Sequence, residues 1–493
     1  MPYHDEVVPK WNIIFLIYAE LVDFTTTVVN KPNPDEDNDD DVKAAFNQLE
    51  SDILKVTVSD NFNLVTIKNV VKIVDNIVIS DTTYVSLLVF DDIEKKNRQE
   101  TLNEFSIENF DQKSEDIKVV FRYIDENYPA DKTLLITWDH GSGFGIFKKF
   151  LSDKLEQEKK LSLTSKKYVH VKNVSNGLAV VKNRKLVRQA SFFKSANSFA
   201  ATASNAENTA GANFDILSDD KLADAITNGF KSGYVEALIM FNCDMQNMHT
   251  CYALRNCVKY LVAPEGVIAA PGYDYVSIID FIGKNKDLAI DGATIAVQAV
   301  NTLKQNFTDN NADSIFENIA LFAVCLIGYE EKIIKHVRLL IVRLKEMMRA
   351  DPSVAPDIRN TRGKSYTFGH NLHYYLVDLN NFLIKLVKTI NGDLKVKIDK
   401  TQLSNLQEYL QVAYSSLIVA QAVGNNIYFD DLSNPWEKAT GTLPKGVSIY
   451  FPPTAIDQND IVVKKFLLPN APFSSSLVAS IGWLDFLSDV YKS

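Results

Sequence analysis

Over its first 145 residues the chain switches between two hydrophobic rhythms. WNIIFLIYAE (Trp11 to Glu20), NLVTIKNVVKIV and TYVSLLVFDD are dense in β-branched and aromatic residues and read as strands. SEDIKVVFRYIDENY (Ser114 to Tyr128) instead repeats apolar residues at Ile117, Val120, Phe121 and Ile124, which line one face of a helix. Ser114 is placed to cap that helix and Pro129 to stop it. TLLITW follows as another short buried strand. Strands apolar on both faces and interleaved with helices predict an α/β fold with a largely parallel sheet covered on each side.

Past Phe147 the pattern breaks. Thirteen lysines and arginines fall between Lys148 and Lys194, where YVHVKN and GLAVVKN, joined by VSNG, predict a small hairpin. Ser195 to Ala212 (SANSFAATASNAENTAGA) is small and polar and reads as an exposed linker, tolerant of nicking. Regular patterning resumes with a helix over Ser218 to Lys231 and the strand YVEALIMFN. The helix DMQNMHTCYALRNCVKY follows, then the strand YLVAPE and the strand-like NIALFAVCLIGY. From EKIIKHVRLLIVRLKEMM to about Val423 the pattern is mainly helical. GVSIYFP (Gly446 to Pro452) reads as a late strand, ahead of a helical tail holding Trp483 and Phe486.

Composition narrows the function classes. The chain has 493 residues, 46% hydrophobic and 23% charged, with neither a collagenous nor a disordered signature. Its net charge of −10 argues against a general nucleic-acid binder, because phosphate affinity rests on lysine and arginine. No stretch reaches the ~20 apolar residues of a membrane span. Trp11 to Val22 is too short, carries Glu20 and lacks a signal cleavage site, so no targeting peptide is read. That fits a cytosolic protein, or a secreted, periplasmic or cell-surface one whose signal was removed. The four cysteines, Cys243, Cys251, Cys257 and Cys325, make no disulfide framework and contain no CxxC pair for structural zinc. Cys251 and Cys257 fall on different faces of one expected helix, which speaks against a bridge between them.

Two strand ends share one grammar. LLITW runs into Asp139, His140 and the glycines Gly141, Gly143 and Gly145; ALIMFN runs into Cys243 and Asp244. In open parallel sheets reacting groups collect at the carboxyl ends of strands, so His140 and Cys243 are expected at one sheet edge. A helix starting beside Cys243 would lower the thiol's pKa, and a histidine in reach would take its proton and return it to a leaving amine. The backbone N–H groups of Gly141 and Cys243 are then candidates for an oxyanion hole.

These residues, with Trp138-Asp139-His140-Gly141-Ser142-Gly143 first and Phe241-Asn242-Cys243-Asp244-Met245 beginning its cysteine 103 residues later, resemble the clostripain (C11) family of clan CD cysteine peptidases. Tyr128-Pro129-Ala130-Asp131, Tyr260-Leu261-Val262-Ala263-Pro264-Glu265, Pro271-Gly272-Tyr273-Asp274-Tyr275, Val377-Asp378-Leu379 and Gly446 to Pro452 resemble its further blocks. The resemblance implies a caspase-like α/β/α sandwich with a mostly parallel sheet over residues 1–330, interrupted by an insertion at 148–214. A mainly helical region over 331–493 would pack on it and return a strand to the core. It implies an endopeptidase acting on peptides or proteins through a Cys243–His140 dyad, without a cofactor, although some members need calcium. It also implies self-cleavage in the 148–214 loop. The family commonly places an aspartate two residues before the cysteine to recognise lysine or arginine; this chain has Phe241 there. Asp244 or Asp274 would have to supply that charge, or the basic preference is lost. A catalytically silent caspase-like module that binds peptides or proteins is the rival, and an amidohydrolase or transpeptidase a third reading.

Other constellations carry less. His370 and His373 lack a third ligand nearby. DEDNDDD lacks the glycine and terminal glutamate of an EF-hand loop. Asp139 adjoins His140 and is expected on the opposite strand face, and His249 lies six residues past Cys243, too far along a helix to serve as base.

Overall fold

The computed structural model describes residues 10–23, 39–74, 77–91, 93–94, 96–106, 113–138, 140–141, 143–149, 179–182, 185–188, 214–266, 268, 271–285, 289–313, 319–368, 376–392, 400–424, 444–456, 463–468, 470–471 and 474–492. Its centre is a sheet of five parallel strands: β2 (Phe62–Val74), β1 (Trp11–Asp23), β5 (Lys132–Trp138), β11 (Val235–Phe241) and β12 (Val258–Pro264), in that spatial order. Every residue of VEALIMF in β11 is buried, as the unbroken apolar run requires.

Antiparallel strands extend both edges. β3 (Ile77–Asp91) and β4 (Lys96–Ser106) continue from β2, while β13 (Ala320–Cys325) and β16 (Ile418–Val423) continue from β12. Two residues separate β2 from β3, far short of the dozen or more a parallel crossover needs, so that pair must be antiparallel. The expected alternation of strand and helix therefore yields to a meander here.

Helices cover both faces and make the sandwich. On one face lie α1 (Asp39–Lys55), α5 (Tyr275–Lys284) and α6 (Gly292–Asp309), contributing Phe46, Leu49, Ile278, Ile295 and Leu303 to a core with Ile13, Leu134 and Ile239. On the other, α2 (Lys113–Asn127), α3 (Asp219–Gly229) and α4 (Met248–Leu254) pack Val120, Phe121, Leu222 and Met248 against Leu135, Leu238 and Leu261. Ser218 caps α3 by accepting from Lys221 N at 3.4 Å. The later helices α7 (Lys335–Ala350), α8 (Val354–Arg362), α9 (Leu379–Gly392), α10 (Thr401–Leu417), α11 (Ser476–Ile481) and α12 (Trp483–Lys492) add Leu340, Ile358, Leu383, Leu410, Val478 and Phe486 to this second core. None of the described helices is long and apolar enough to cross a membrane.

Two expectations change. Ile418–Val423, placed in the helical region, is the edge strand β16, because α10 ends at Leu417 and IVAQAV finds β13 to pair with. GVSIYFP does not join the main sheet. Its Ser448–Tyr450 forms β17 in a small sheet with β14 (Thr367–Phe368) and β15 (Leu376–Asp378). In the basic region β8 (Ala179–Lys182) pairs with β9 (Lys185–Arg188), while YVHVKN, one arm of the expected hairpin, lies outside the described residues. The rest of the 150–213 segment, His370, His373 and the acidic residues before Asp39 also lie outside them.

Candidate active site

β5 and β11 are hydrogen-bonded neighbours, and Trp138 pairs with Phe241 on their last common rung. His140 and Cys243 each follow that rung by two residues, so one sheet edge carries both. His140 and Gly141 form the short strand β6, which pairs with β7 (Gly145–Lys149); β7 pairs in turn with β10 (Phe214–Ser218), leading into α3. The long insertion thus leaves and re-enters through two paired strands beside the histidine.

Gly141 meets the Cys243 turn directly. A Cβ on Gly141 would sit 2.0 Å from Cys243 O and 2.7 Å from Cys243 N. No side chain fits there, and this is the physical reason for the glycine after His140. Gly143 has φ +75° and faces Leu376 of β15. Asp139 and Ser142 lie outside the described residues.

Cys243 is half-buried, with Sγ 3.8 Å from Ile268 O. Burial, reinforced by the neighbouring Asp244, pushes its thiol up to about 12. That corrects the expectation of a lowered pKa. The helix α4 starts at Met248, capped by Asn247, so its dipole acts beyond Cys243 rather than at it. Cys251 and Cys257 are fully buried, also pushed up to about 12 by burial, and all four cysteines are free. Asn242 Oδ1 accepts from Thr137 Oγ1 at 2.5 Å, bracing the β11 end against β5.

The turn holding Cys243 is fastened from several sides. Asp244 adopts φ +63°, a left-handed conformation unusual for a residue other than glycine. Its N–H donates to Gly266 O at 2.7 Å and its carbonyl accepts from Asn247 Nδ2 at 2.7 Å. Gln246 N donates to Pro264 O at 2.8 Å, Gln246 Nε2 donates to Gly446 O at 3.1 Å, and Ser448 N donates to Gln246 O at 3.3 Å. Below this turn Glu265 and Asp378 form a fully buried pair. Glu265 Oε2 accepts from Gly446 N at 3.2 Å, and Asp378 accepts from Asn381 N and Lys445 N at 2.6 and 2.5 Å. Burial and then the facing Asp378 hold Glu265 well above the usual carboxylate range, and burial lifts Asp378 to about 6. The pattern fits a protonated Glu265 donating to Asp378. Neither acid stands out in the sequence, because nothing local marks Glu265 and Asp378 as partners.

The three expected pocket residues part ways. Phe241 is buried among aromatics: its ring stacks on Trp138 at 5.9 Å and meets Tyr273 edge-on at 6.4 Å. Gly272, with φ +70°, leaves room for it, since a Cβ there would lie 2.4 Å from the ring. Asp274 caps α5, accepting from Ser277 N at 3.0 Å. Asp244 is buried with Oδ1 unpartnered among the described residues, and burial lifts its carboxyl to about 7. His249 is a core histidine. Its Nδ1 lies 2.9 Å from Ser475 Oγ, its ring packs 4.7 Å from Phe144, and burial lowers it to about 3. Among the described residues no group of three or more His, Cys, Asp or Glu is placed to hold a metal ion.

Comparison with known proteins agrees with this layout. The family model of the clostripain family, peptidase C11, matches residues 47–181 and 207–453. The residues between the two matches fall inside the insertion. An inactive zymogen C11 protease from Parabacteroides distasonis shares the fold at TM-score 0.53 and 12% identity, over 100% of this chain and 99% of that one. A secreted C11 cysteine protease from Bacteroides thetaiotaomicron aligns at TM-score 0.52 and 12% identity, over 98% of this chain and 100% of that one. The same kind of enzyme from that organism, in complex with an irreversible peptide inhibitor, gives TM-score 0.51 and 13% identity over 96% and 99%. No curated protein sequence matches the chain. With the family model spanning most of its length and the caspase-like sandwich in place, the chain belongs to the clostripain family of cysteine peptidases.

Proposed function

We propose that this cysteine peptidase works through a Cys243–His140 dyad. The observation that carries the assignment is the direct contact of the Gly141 backbone with Cys243, reached from strand ends that share their last rung. A thiol held up to about 12 rests protonated, so attack on a carbonyl needs a base at that moment. His140 takes the proton and later delivers it to the leaving amine, which breaks the C–N bond and leaves an acyl-enzyme for water. The amides of Gly141 and Cys243 hold the oxyanion. This chemistry uses no cofactor.

Iodoacetamide alkylation read by peptide mass tests the dyad. Cys251 and Cys257 are shielded, so the comparison is between Cys243 and Cys325, both partly exposed. Cys243 should react fastest and lose that advantage in His140→Ala. Equal, sluggish rates at Cys243 and Cys325 would favour the silent-module reading, which Phe241 and the raised thiol support.

Asp244 is the acid that pairs with a lysine or arginine beside the scissile bond. Phe241 is spent on aromatic packing and Asp274 on a helix cap, whereas Asp244 keeps an unpartnered buried oxygen next to the nucleophile. An unpaired buried acid gains most from a cationic partner. Peptides ending in Lys or Arg should be cut well ahead of neutral ones; equal rates would refute the basic preference. Self-cleavage within 148–214 is compatible with the paired strands β7 and β10 and with β5–β11 pairing, which hold the two pieces together after a cut. Fragments from the active chain but not from Cys243→Ala would support it.

A further inference from the structure

We propose that Asn247 is the positioning residue that locks the histidine-bearing loop onto the nucleophile turn. The inference rests on the dyad reading above. Asn247 is fully buried and its amide has two separate sets of partners. On one side Oδ1 accepts from His249 N at 2.8 Å and Thr250 N at 3.0 Å, which caps α4. On the other, Nδ2 donates to Gly143 O at 3.0 Å and Asp244 O at 2.7 Å, with Thr250 Oγ1 at 3.1 Å. Two N–H groups on the oxygen side and carbonyls on the nitrogen side leave one orientation for the amide.

The two carbonyls belong to the two catalytic strands' extensions. Gly143 lies three residues past His140, and Asp244 is the residue after Cys243. Both residues have positive φ, 75° and 63°, a conformation that glycine adopts freely but that Asp244 needs outside support to hold. One side chain therefore bridges both turns. Thr250 Oγ1 donates to Asp219 Oδ2 at 2.9 Å, which ties this strap to the start of α3, just past the strand that closes the insertion.

Capping does not explain the choice of residue. An N-cap needs only a side-chain oxygen, which serine, threonine or aspartate supplies as well as asparagine. The N–H₂ group is the part that capping leaves unused, and it is the part that meets Gly143 and Asp244. Losing it frees the 140–143 loop to drift from Cys243. A shift of about 1 Å between reacting groups costs on the order of 100-fold in rate.

Asn247→Ser keeps a cap oxygen and removes the N–H₂ group that reaches Gly143 O and Asp244 O. The expected result is a folded enzyme with KM within about threefold of the parent, kcat lower by roughly 100-fold and a matching fall in Cys243 alkylation. A folded Asn247→Ser with kcat and alkylation within threefold overturns the proposal. If the serine variant does not fold, Asn247→Thr, which also keeps the cap oxygen, carries the same readout. Failure of both to fold overturns the proposal too, because the side chain then serves the fold rather than the site. Cys243→Ala and His140→Ala, run alongside, report on the dyad. If either keeps peptidase activity, the dyad falls and this inference with it. If both are inactive and Asn247→Ser is unimpaired, the Asn247 assignment alone falls.

Discussion

Replacing Asp244 with asparagine should stabilise the protein, and only above acidic pH. The carboxyl is buried, one oxygen lacks a partner among the described residues, and burial lifts its pKa from 3.8 to about 7. A proton is therefore held more tightly in the folded state than in the unfolded chain. Folding is favoured fully below pH ~4, and that favour is lost as pH rises to about 7. A shift of about three units at ~1.4 kcal/mol each puts the loss on the order of 4 kcal/mol by pH 8, an upper bound because local relaxation and water entry reduce it. Asparagine is nearly isosteric, does not titrate and tolerates the left-handed conformation found here. Urea unfolding of parent and Asp244→Asn at pH 4 and pH 8 measures the effect. The variant should match the parent within ~1 kcal/mol at pH 4 and exceed it by about 2–4 kcal/mol at pH 8. Taking the difference at each pH cancels other titrating groups, Asp219 among them, to the extent that they do not couple to Asp244. A difference that does not change between the two pH values would refute the reasoning. The same variant should lose its preference for Lys and Arg peptides, so a gain in stability with specificity intact would separate the two roles.

Gly141→Ala should lower kcat/KM by ~100-fold or more, since the new methyl would lie 2.0 Å from Cys243 O; activity above a tenth of the parent would contradict the contact. Phe241→Ala should cost about 3–5 kcal/mol in urea unfolding, as the ring fills space between Trp138 and Tyr273, and a cost below ~1 would deny that packing. Glu265→Gln mimics the protonated acid that donates to Asp378. Glu265 is held well above its ordinary value, so its ionisation costs stability as pH rises. The glutamine variant should remove part of the parent's stability loss on the alkaline side, and an unchanged alkaline limb in thermal melts would contradict the shared proton.

Much of this protein is legible in its linear pattern, for a physical reason. Strands buried on both faces need unbroken apolar runs, and amphipathic helices need a repeated face, so TLLITW, ALIMF and SEDIKVVFRYIDENY declare themselves through local composition. The order of His140 and Cys243 behind two such strands, together with the surrounding blocks, was enough to point to the family. Decisions that depend on distant partners were not legible. Whether IVAQAV is helix or strand depends on β13 offering it an edge, and GVSIYFP joins a second sheet because β15 is its neighbour. The pKa of Cys243 depends on how deeply the turn is buried and on where α4 starts, which a strand-then-helix pattern places only approximately. Asn247 reads locally as an ordinary helix cap, and its second role exists only because the fold brings Gly143, 104 positions earlier, within hydrogen-bond reach. Sequence determined the central strands and which residues have the chemistry; burial and long-range contact decided the edge pairings, how that chemistry is tuned and what holds it in register.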